Sequence, residues 1–217
     1  MNTENRALVV LNGDFTKTMD ILRSSTYKYI LAVDGAANIL LDNAIKPDAI
    51  VGDMDSIRSD ILVAAKEMGI NVDKRDDQES TDFDKAMRHL QEKNILRIDV
   101  IGHRGFRLDH ELSVYDVVVA HAPLFSIRLI DEIGDGIILH GLSDFSINNK
   151  KDHLCSLFPL NPCVNVTLRG FKWSFKRKNL EIGHFISSSN VITEDRATVS
   201  LHQGVLLVYL HHRISNH

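Results

Sequence analysis

The sequence predicts an α/β protein: an N-terminal three-layer α/β domain built on a parallel sheet, then a smaller all-β sandwich or barrel domain. Three observations carry this. Short apolar runs alternate with helical segments from residue 7 to about residue 130, the pattern of parallel βαβ units. After about residue 132 the helical periodicity fades, and short strand-like runs follow one another between turn dipeptides. The composition, 44% hydrophobic, 25% charged and 6% aromatic over 217 residues, is that of a globular chain with room for two cores.

Taken in order, residues 7–11 and 29–33 read as buried strands, and residues 36–43 as a helix with Ile39, Leu40 and Leu41 clustered on it. A third strand covers 49–51, and a helix over 61–68 stops at Gly69. Strand 70–72, helix 82–93 and strand 98–101 follow. Residues 112–120 are helical or buried, and 127–130 close the alternation as a strand. Beyond it, strands are expected at 136–140, 144–147, 154–158, 164–168, 171–175, 198–202 and 205–210. The last two flank Gln203-Gly204 and read as a closing hairpin. The expected domains are residues 1–135 and 136–217.

Several classes are excluded. A net charge of -4, from 25 Lys+Arg against 29 Asp+Glu, lacks the global field of a nucleic-acid or membrane-surface binder. The longest apolar run, residues 205–210, is far short of the roughly 18 residues a spanning helix needs. Two cysteines, Cys155 and Cys163, make no disulfide framework and have no zinc-pair spacing. Together with a polar start at Met1–Arg6 that lacks a signal-peptide pattern, these features predict a cytoplasmic protein.

Ligands of parallel α/β sheets bind at the carboxyl ends of the strands, so polar residues just after apolar runs matter most. Four such places stand out. Asp34 ends the second strand and precedes Gly35-Ala36-Ala37-Asn38; it reads either as a ligand-facing carboxylate or as a helix N-cap. Gly52-Asp53-Met54-Asp55-Ser56 follows the third strand. In extended backbone Asp53 and Asp55 would project to one side, and paired like charges favour a cation between them. Mg2+ suits such oxygen ligands and shares them with phosphates. Thr81-Asp82-Phe83-Asp84-Lys85 opens a helix, with Thr81 as N-cap; Lys85 opposes the helix dipole unless an anion lies near. Gly105-Phe106-Arg107-Leu108-Asp109-His110 closes a glycine-punctuated loop after strand 98–101, and arginine's planar fork fits phosphate oxygens. There is no P-loop motif. The basic stretch Arg169, Lys172, Lys176, Arg177 and Lys178 around Trp173 reads as a solvated strand face.

On these motifs the sequence resembles the thiamine pyrophosphokinase (thiamine diphosphokinase) family. Val33 to Asn38, Pro47 to Ser56, Thr81 to Ala86 and Gly105 to His110 match in order, joined by Gly170-Phe171-Lys172-Trp173-Ser174-Phe175 and Ser187-Ser188-Ser189-Asn190. The resemblance implies an ATP- and Mg2+-binding catalytic domain, a thiamine-binding β-sandwich, and a homodimer with thiamine at the subunit interface. It implies transfer of a diphosphoryl group from ATP to thiamine, releasing AMP. It assigns Asp53, Asp55 and Asp82 to Mg2+, with Lys85 and Arg107 on the transferring phosphates. Asp34 supports the nucleotide or the metal shell, and Asn38, Thr81, Asp109 and His110 complete the ATP side; Trp173, Ser188, Ser189 and Asn190 form the thiamine side. Two positions depart from the family pattern, Ala36 and Phe106 standing where it usually has glycine. The competing readings are a metal-dependent phosphoesterase and a nucleotide-binding module without turnover.

Overall fold

The computed structural model describes residues 6–15, 18–24, 26–105, 107–184 and 187–214. The chain divides into two compact units, Met1–His121 with Phe125–Asp131, and Ala122–Leu124 with Glu132–His217. The first unit carries β1 (Ala7–Val10), α1 (Met19–Ser24), β2 (Tyr29–Val33), α2 (Ala36–Asp42), β3 (Ala49–Gly52), α3 (Ser59–Glu67), β4 (Asn71–Lys74), α4 (Asp82–Glu92), β5 (Arg97–Ile101), α5 (Leu108–His121) and β6 (Ser126–Ile130).

All strand pairs within this unit are parallel, in the order β6-β5-β1-β2-β3-β4. Helical crossovers lie over such a sheet, so its central strands must be apolar on both faces. Accordingly β1 and β3 are buried at every residue. Leu8, Val10, Ala32 and Ile50 from the strands pack with Ala36 and Leu40 of α2 and Ile61 and Ala65 of α3. The chain runs outward from β1 through β4 and then returns to β5 on the other side of β1. That reversal makes the β1/β5 junction the topological switch point, where α/β sheets open a crevice.

The second unit holds β7 (Gly134–His140), β8 (Ser143–Asn148), β9 (His153–Pro159), β10 (Cys163–Arg169), β11 (Phe175–Leu180), β12 (Ser187–Val191), β13 (Arg196–Leu201) and β14 (Val205–Ile214). Its pairings are antiparallel and form two four-stranded groups, β12-β9-β14-β7 and β11-β10-β13-β8. Leu139, Leu157, Leu206 and Val208 from the first interlock with Ile147, Val166, Leu168 and Val199 from the second, so the unit is a sandwich. Cys155 and Cys163 are buried free thiols, and burial pushes the Cys155 thiol up to about 12.

Three expectations change. The closing hairpin does not form: β13 pairs with β8 and β10, whereas β14 pairs with β7 and β9. The Gln203-Gly204 turn hands the chain from one sheet to the other, with Gln203 bridged to Val164. The strand expected over 171–175 is a turn through residue 174, and Phe175 instead begins β11. Phe171 makes a single bridge to Ile192, and Ser174 Oγ both accepts from the Phe171 N–H and donates to its carbonyl. Three elements, α1, β11 and β12, had no sequence counterpart beyond Phe175; β11 reads Phe-Lys-Arg-Lys-Asn-Leu and β12 Ser-Ser-Ser-Asn-Val, and both lack a strand's apolar pattern. Among the described residues no helix is long and apolar enough to cross a membrane.

Candidate active site

Because the first unit's strands are parallel, the residues after β1, β2, β3 and β5 all emerge at one end of the sheet. At this end Asp34 follows β2 in a left-handed conformation (φ 46), its N–H donating to the Val51 carbonyl. Gly52 (φ 154) lets β3 pass beneath it: a Cβ there would sit 2.9 Å from Asp34 Cβ. Asp34 is buried, and its Oδ1 has no hydrogen-bond partner. Burial raises its pKa, as do the nearby carboxylates Asp82 and Asp55, while hydrogen bonds from Ser56 and Gly35 act against the shift. Asp34 is not a helix cap, since α2 starts after Gly35 with no side-chain cap.

Asp34, Asp53 and Asp82 each offer a carboxylate oxygen, and these oxygens lie within 4.8 Å of one another. Lys85 sits among them, 2% exposed, with Nζ 2.9 Å from Asp82 Oδ1 and 3.9 Å from Asp53 Oδ2. Helix α4 produces this placement. Thr81 caps it, accepting from the Asp84 N–H at 3.2 Å, and Asp82 and Lys85 are then one turn apart on the same face. Three carboxylates and one ammonium leave a formal charge of two minus, and Asp34 Oδ1 is buried without a hydrogen-bond partner. This donor set fits a divalent, oxygen-seeking cation such as Mg2+.

Asp55 is placed differently from the expectation. Met54 takes φ 70, so the backbone is not extended and the same-side projection fails. The Asp55 N–H instead donates to Asp53 Oδ1 at 3.2 Å, and its exposed carboxylate accepts from Ser56 Oγ. The geometry thus groups Asp34, rather than Asp55, with Asp53 and Asp82. Asn38 uses both ends of its amide to brace the following loop, donating to the Ser56 carbonyl and accepting from the Arg58 N–H. Arg107 and Asp109 form an exposed bidentate pair, 3.2 and 2.5 Å, at the start of α5, with His110 exposed beside them. Nothing described joins them to the carboxylate group. Ala36 is fully buried in the core, so its methyl lies away from the strand-end surface; Phe106 lies outside the described residues.

The loop after β1, which is not among the four strand-end motifs, also lies at this end of the sheet. Leu11, Gly13 and Asp14 donate their N–H groups to Ile101, Gly102 and Arg104, knitting the loops at the switch point together. A Cβ on Gly13 would lie 2.1 Å from the Arg104 carbonyl, so only glycine allows this approach. The signal was available, because Asn12-Gly13-Asp14 follows the first strand just as Asp34-Gly35 follows the second.

In the second unit, the structure brings Trp173 and Asn190 together. Asn190 is buried, with Oδ1 accepting from the Trp173 N–H at 3.2 Å and Nδ2 donating to the Trp173 carbonyl at 3.1 Å. Trp173 itself is 58% exposed, with Lys172 Nζ 5.0 Å from its ring centroid, so it is no core tryptophan. Ser188 and Ser189 are exposed, whereas Ser156, which receives the Ser189 N–H, was not foreseen. Lys176, Arg177 and Lys178 lie exposed on the outermost strand of their sheet, a placement that discourages edge-to-edge pairing.

A parallel α/β unit with a carboxylate group at its strand ends, joined to an antiparallel sandwich, defines a two-unit α/β protein with a candidate cation site. The chain belongs to the thiamin pyrophosphokinase family. Residues 14–127 match the family's catalytic domain, and residues 144–206 match its vitamin B1 binding domain. Thiamine pyrophosphokinase 2 of Arabidopsis thaliana is 31% identical over 225 residues, covering 92% of this chain and 84% of that protein. The Bacillus subtilis thiamine pyrophosphokinase is 29% identical over 185 residues, covering 82% and 85%. The fold of the Bacillus subtilis crystal structure aligns with TM-score 0.78 at 24% identity, over 95% of this chain and 99% of that one. Yeast thiamin pyrophosphokinase aligns at 0.74 and 17% identity, over 96% and 86%.

Proposed function

We propose that this chain is a thiamine diphosphokinase, transferring the diphosphoryl group of ATP to the hydroxyl of thiamine with release of AMP. The observation that carries the reading is the convergence of Asp34, Asp53 and Asp82 around buried Lys85 in a chain whose other unit matches the vitamin B1 binding domain. The thiamine hydroxyl oxygen attacks the β-phosphorus as its proton is released to solvent, the bond from that phosphorus to the oxygen shared with the α-phosphate breaks, and AMP departs. Such transfers need positioning and charge neutralisation more than covalent help from the protein.

Asp34, Asp53 and Asp82 would hold Mg2+, which when bound supplies neutralisation of phosphate charge. Lys85 is fixed by a hydrogen bond to Asp82 and an ion pair with Asp53, and offers its other N–H donors to a phosphate oxygen. Arg107, oriented by Asp109, supplies a second cationic donor from the residue just before α5, with His110 alongside. Asp55, Asn38 and Thr81 support the site by shaping its loops and helix start. On the other unit, Trp173 stacks on the cationic ligand, with Ser188 and Ser189 at its polar edge. The active assembly is a homodimer, with thiamine bound where two subunits meet.

A phosphoesterase reading gains no support: the converging carboxylates include no histidine among the described residues. The other metal-competent group, Asp73, His89 and Glu92, already has a cation in Arg75, which donates to both Asp73 and Glu92. The test is AMP formation from ATP with and without thiamine, at controlled Mg2+. Thiamine-dependent AMP release equal to the thiamine diphosphate formed is expected; ATP binding without it would leave only the nucleotide-binding module.

A further inference from the structure

Strand β12 is irregular where it meets β9. Ser187 lies opposite Leu157 and Asn190 opposite Cys155, so Ser188 and Ser189 together face the single residue Ser156. This is a β-bulge, and Ser189 adopts φ 56 within it. The extra N–H is not left over: Ser189 donates it to Ser156 Oγ at 2.9 Å, and Ser156 is only 3% exposed. Bulges re-aim side chains, and here both displaced serines are exposed.

Asn190 closes the bulge and turns inward, 3% exposed. Its Oδ1 accepts from the Trp173 N–H at 3.2 Å and from the Val191 N–H at 2.9 Å, while Nδ2 donates to the Trp173 carbonyl at 3.1 Å. Both acceptor sites of the amide oxygen are therefore filled, and Asn190 has none left for a ligand's amino group. The same segment is held again by the Lys172 N–H donating to the Val191 carbonyl at 2.9 Å. The outcome is an exposed aromatic ring on a backbone clasped from both sides by a buried amide. A platform fixed before its ligand arrives loses less freedom on binding than a mobile one.

We propose that Asn190 is a positioning residue for thiamine: it fixes the peptide of Trp173, and so its ring, rather than bonding the ligand itself. Ser156 does the corresponding service for the bulge that presents Ser188 and Ser189. The proposal rests on the stacking role given to Trp173 under the proposed function.

Trp173 is the only tryptophan in the chain, so its fluorescence reports this site alone. Asn190→Ala should raise the thiamine KM by about 5–30-fold, as loss of a well-placed cation–π platform would. The KM for ATP and the kcat at saturating thiamine should stay within about twofold, and the tryptophan anisotropy of the free protein should fall. The decisive comparison is the Trp173→Ala/Asn190→Ala double variant. If Asn190 acts through Trp173, the double variant has the thiamine KM of Trp173→Ala alone; if Asn190 bonds the ligand, the two KM effects multiply, and the proposal is overturned. Wild-type protein supplies a measurement that does not depend on any variant folding. The Trp173 amide should exchange with deuterium slowly in the ligand-free state, and exchange at the rate of an open loop would equally overturn the proposal. Failure of the underlying function looks different: wild-type protein would then show neither thiamine-dependent AMP release nor thiamine quenching of Trp173.

Discussion

Asp34 and Lys85 pull the stability of the metal-free protein in opposite directions, because one adds to a local excess of negative charge and the other relieves it. Asp34→Asn should abolish diphosphoryl transfer yet raise the melting temperature of the metal-free protein. Removing a buried carboxylate that has an orphan oxygen and acidic neighbours returns about 1–2 kcal/mol, or roughly 2–8 °C for a chain of this size. Lys85→Met should lose activity and also lower the melting temperature, since the carboxylates are left facing one another. Calorimetry of both variants in chelator checks the pair; two shifts of the same sign would remove the charge excess as the organising feature. This cluster was half legible in the sequence. Asp53, Asp82 and Lys85 stood out by type and position, but the partnership of Asp34 depends on the left-handed turns at Asp34 and Met54, which no residue spacing announces.

Helix α4 ties the site to the rest of its sheet. Lys85 and His89 are four residues apart and both buried, so one face of the helix places a cation in the carboxylate group and a histidine one turn below. His89 Nδ1 lies 2.7 Å from Asp73 Oδ2, and Tyr29 OH 3.0 Å from its other ring nitrogen. Burial pushes the Asp73 pKa up, but hydrogen bonds from Arg75 and His89 outweigh it and hold the carboxyl below its usual range. A depressed carboxyl pKa contributes stability that is present above the unfolded value, near 3.9, and is lost as pH falls through the folded one. Asp73→Asn should therefore destabilise the protein at pH 7 by about 1–3 kcal/mol. The gap to wild type should narrow only below about pH 4. Urea titrations across that range test it; a gap that stays constant into acid would exclude Asp73 as the anchor. The helix was legible because its apolar positions and the Thr81 cap are local signals. The network beneath it was not, because Asp73, His89 and Tyr29 lie on three elements and only the folded sheet brings them together.

At the scale of the whole chain, the change from helix-bearing to helix-free texture was legible because each unit buries its apolar residues with a different period. The pairing inside the sandwich was not. β13 and β14 are adjacent in sequence and joined by a turn-forming dipeptide, yet each finds its partners in a different sheet. Alternating apolar residues say which side of a strand faces the core, not which strand lies beside it. The proposed dimer can be tested by a property that no single subunit has. Asp53→Asn disables the carboxylate group in one unit, and Trp173→Ala weakens the stacking platform in the other. Each variant alone should be nearly inactive at thiamine well below the KM of the tryptophan variant. In a two-fold dimer whose thiamine sites each draw one unit from either subunit, a mixed dimer contains one site with both substitutions and one with neither. Random exchange of equal amounts of the two proteins should then restore roughly a quarter of wild-type activity, because half the dimers are mixed and each has one intact site of two. Activity of the mixture that never rises above the mean of the two separate variants, with subunit exchange verified by a mass tag, would show that each subunit completes its own site.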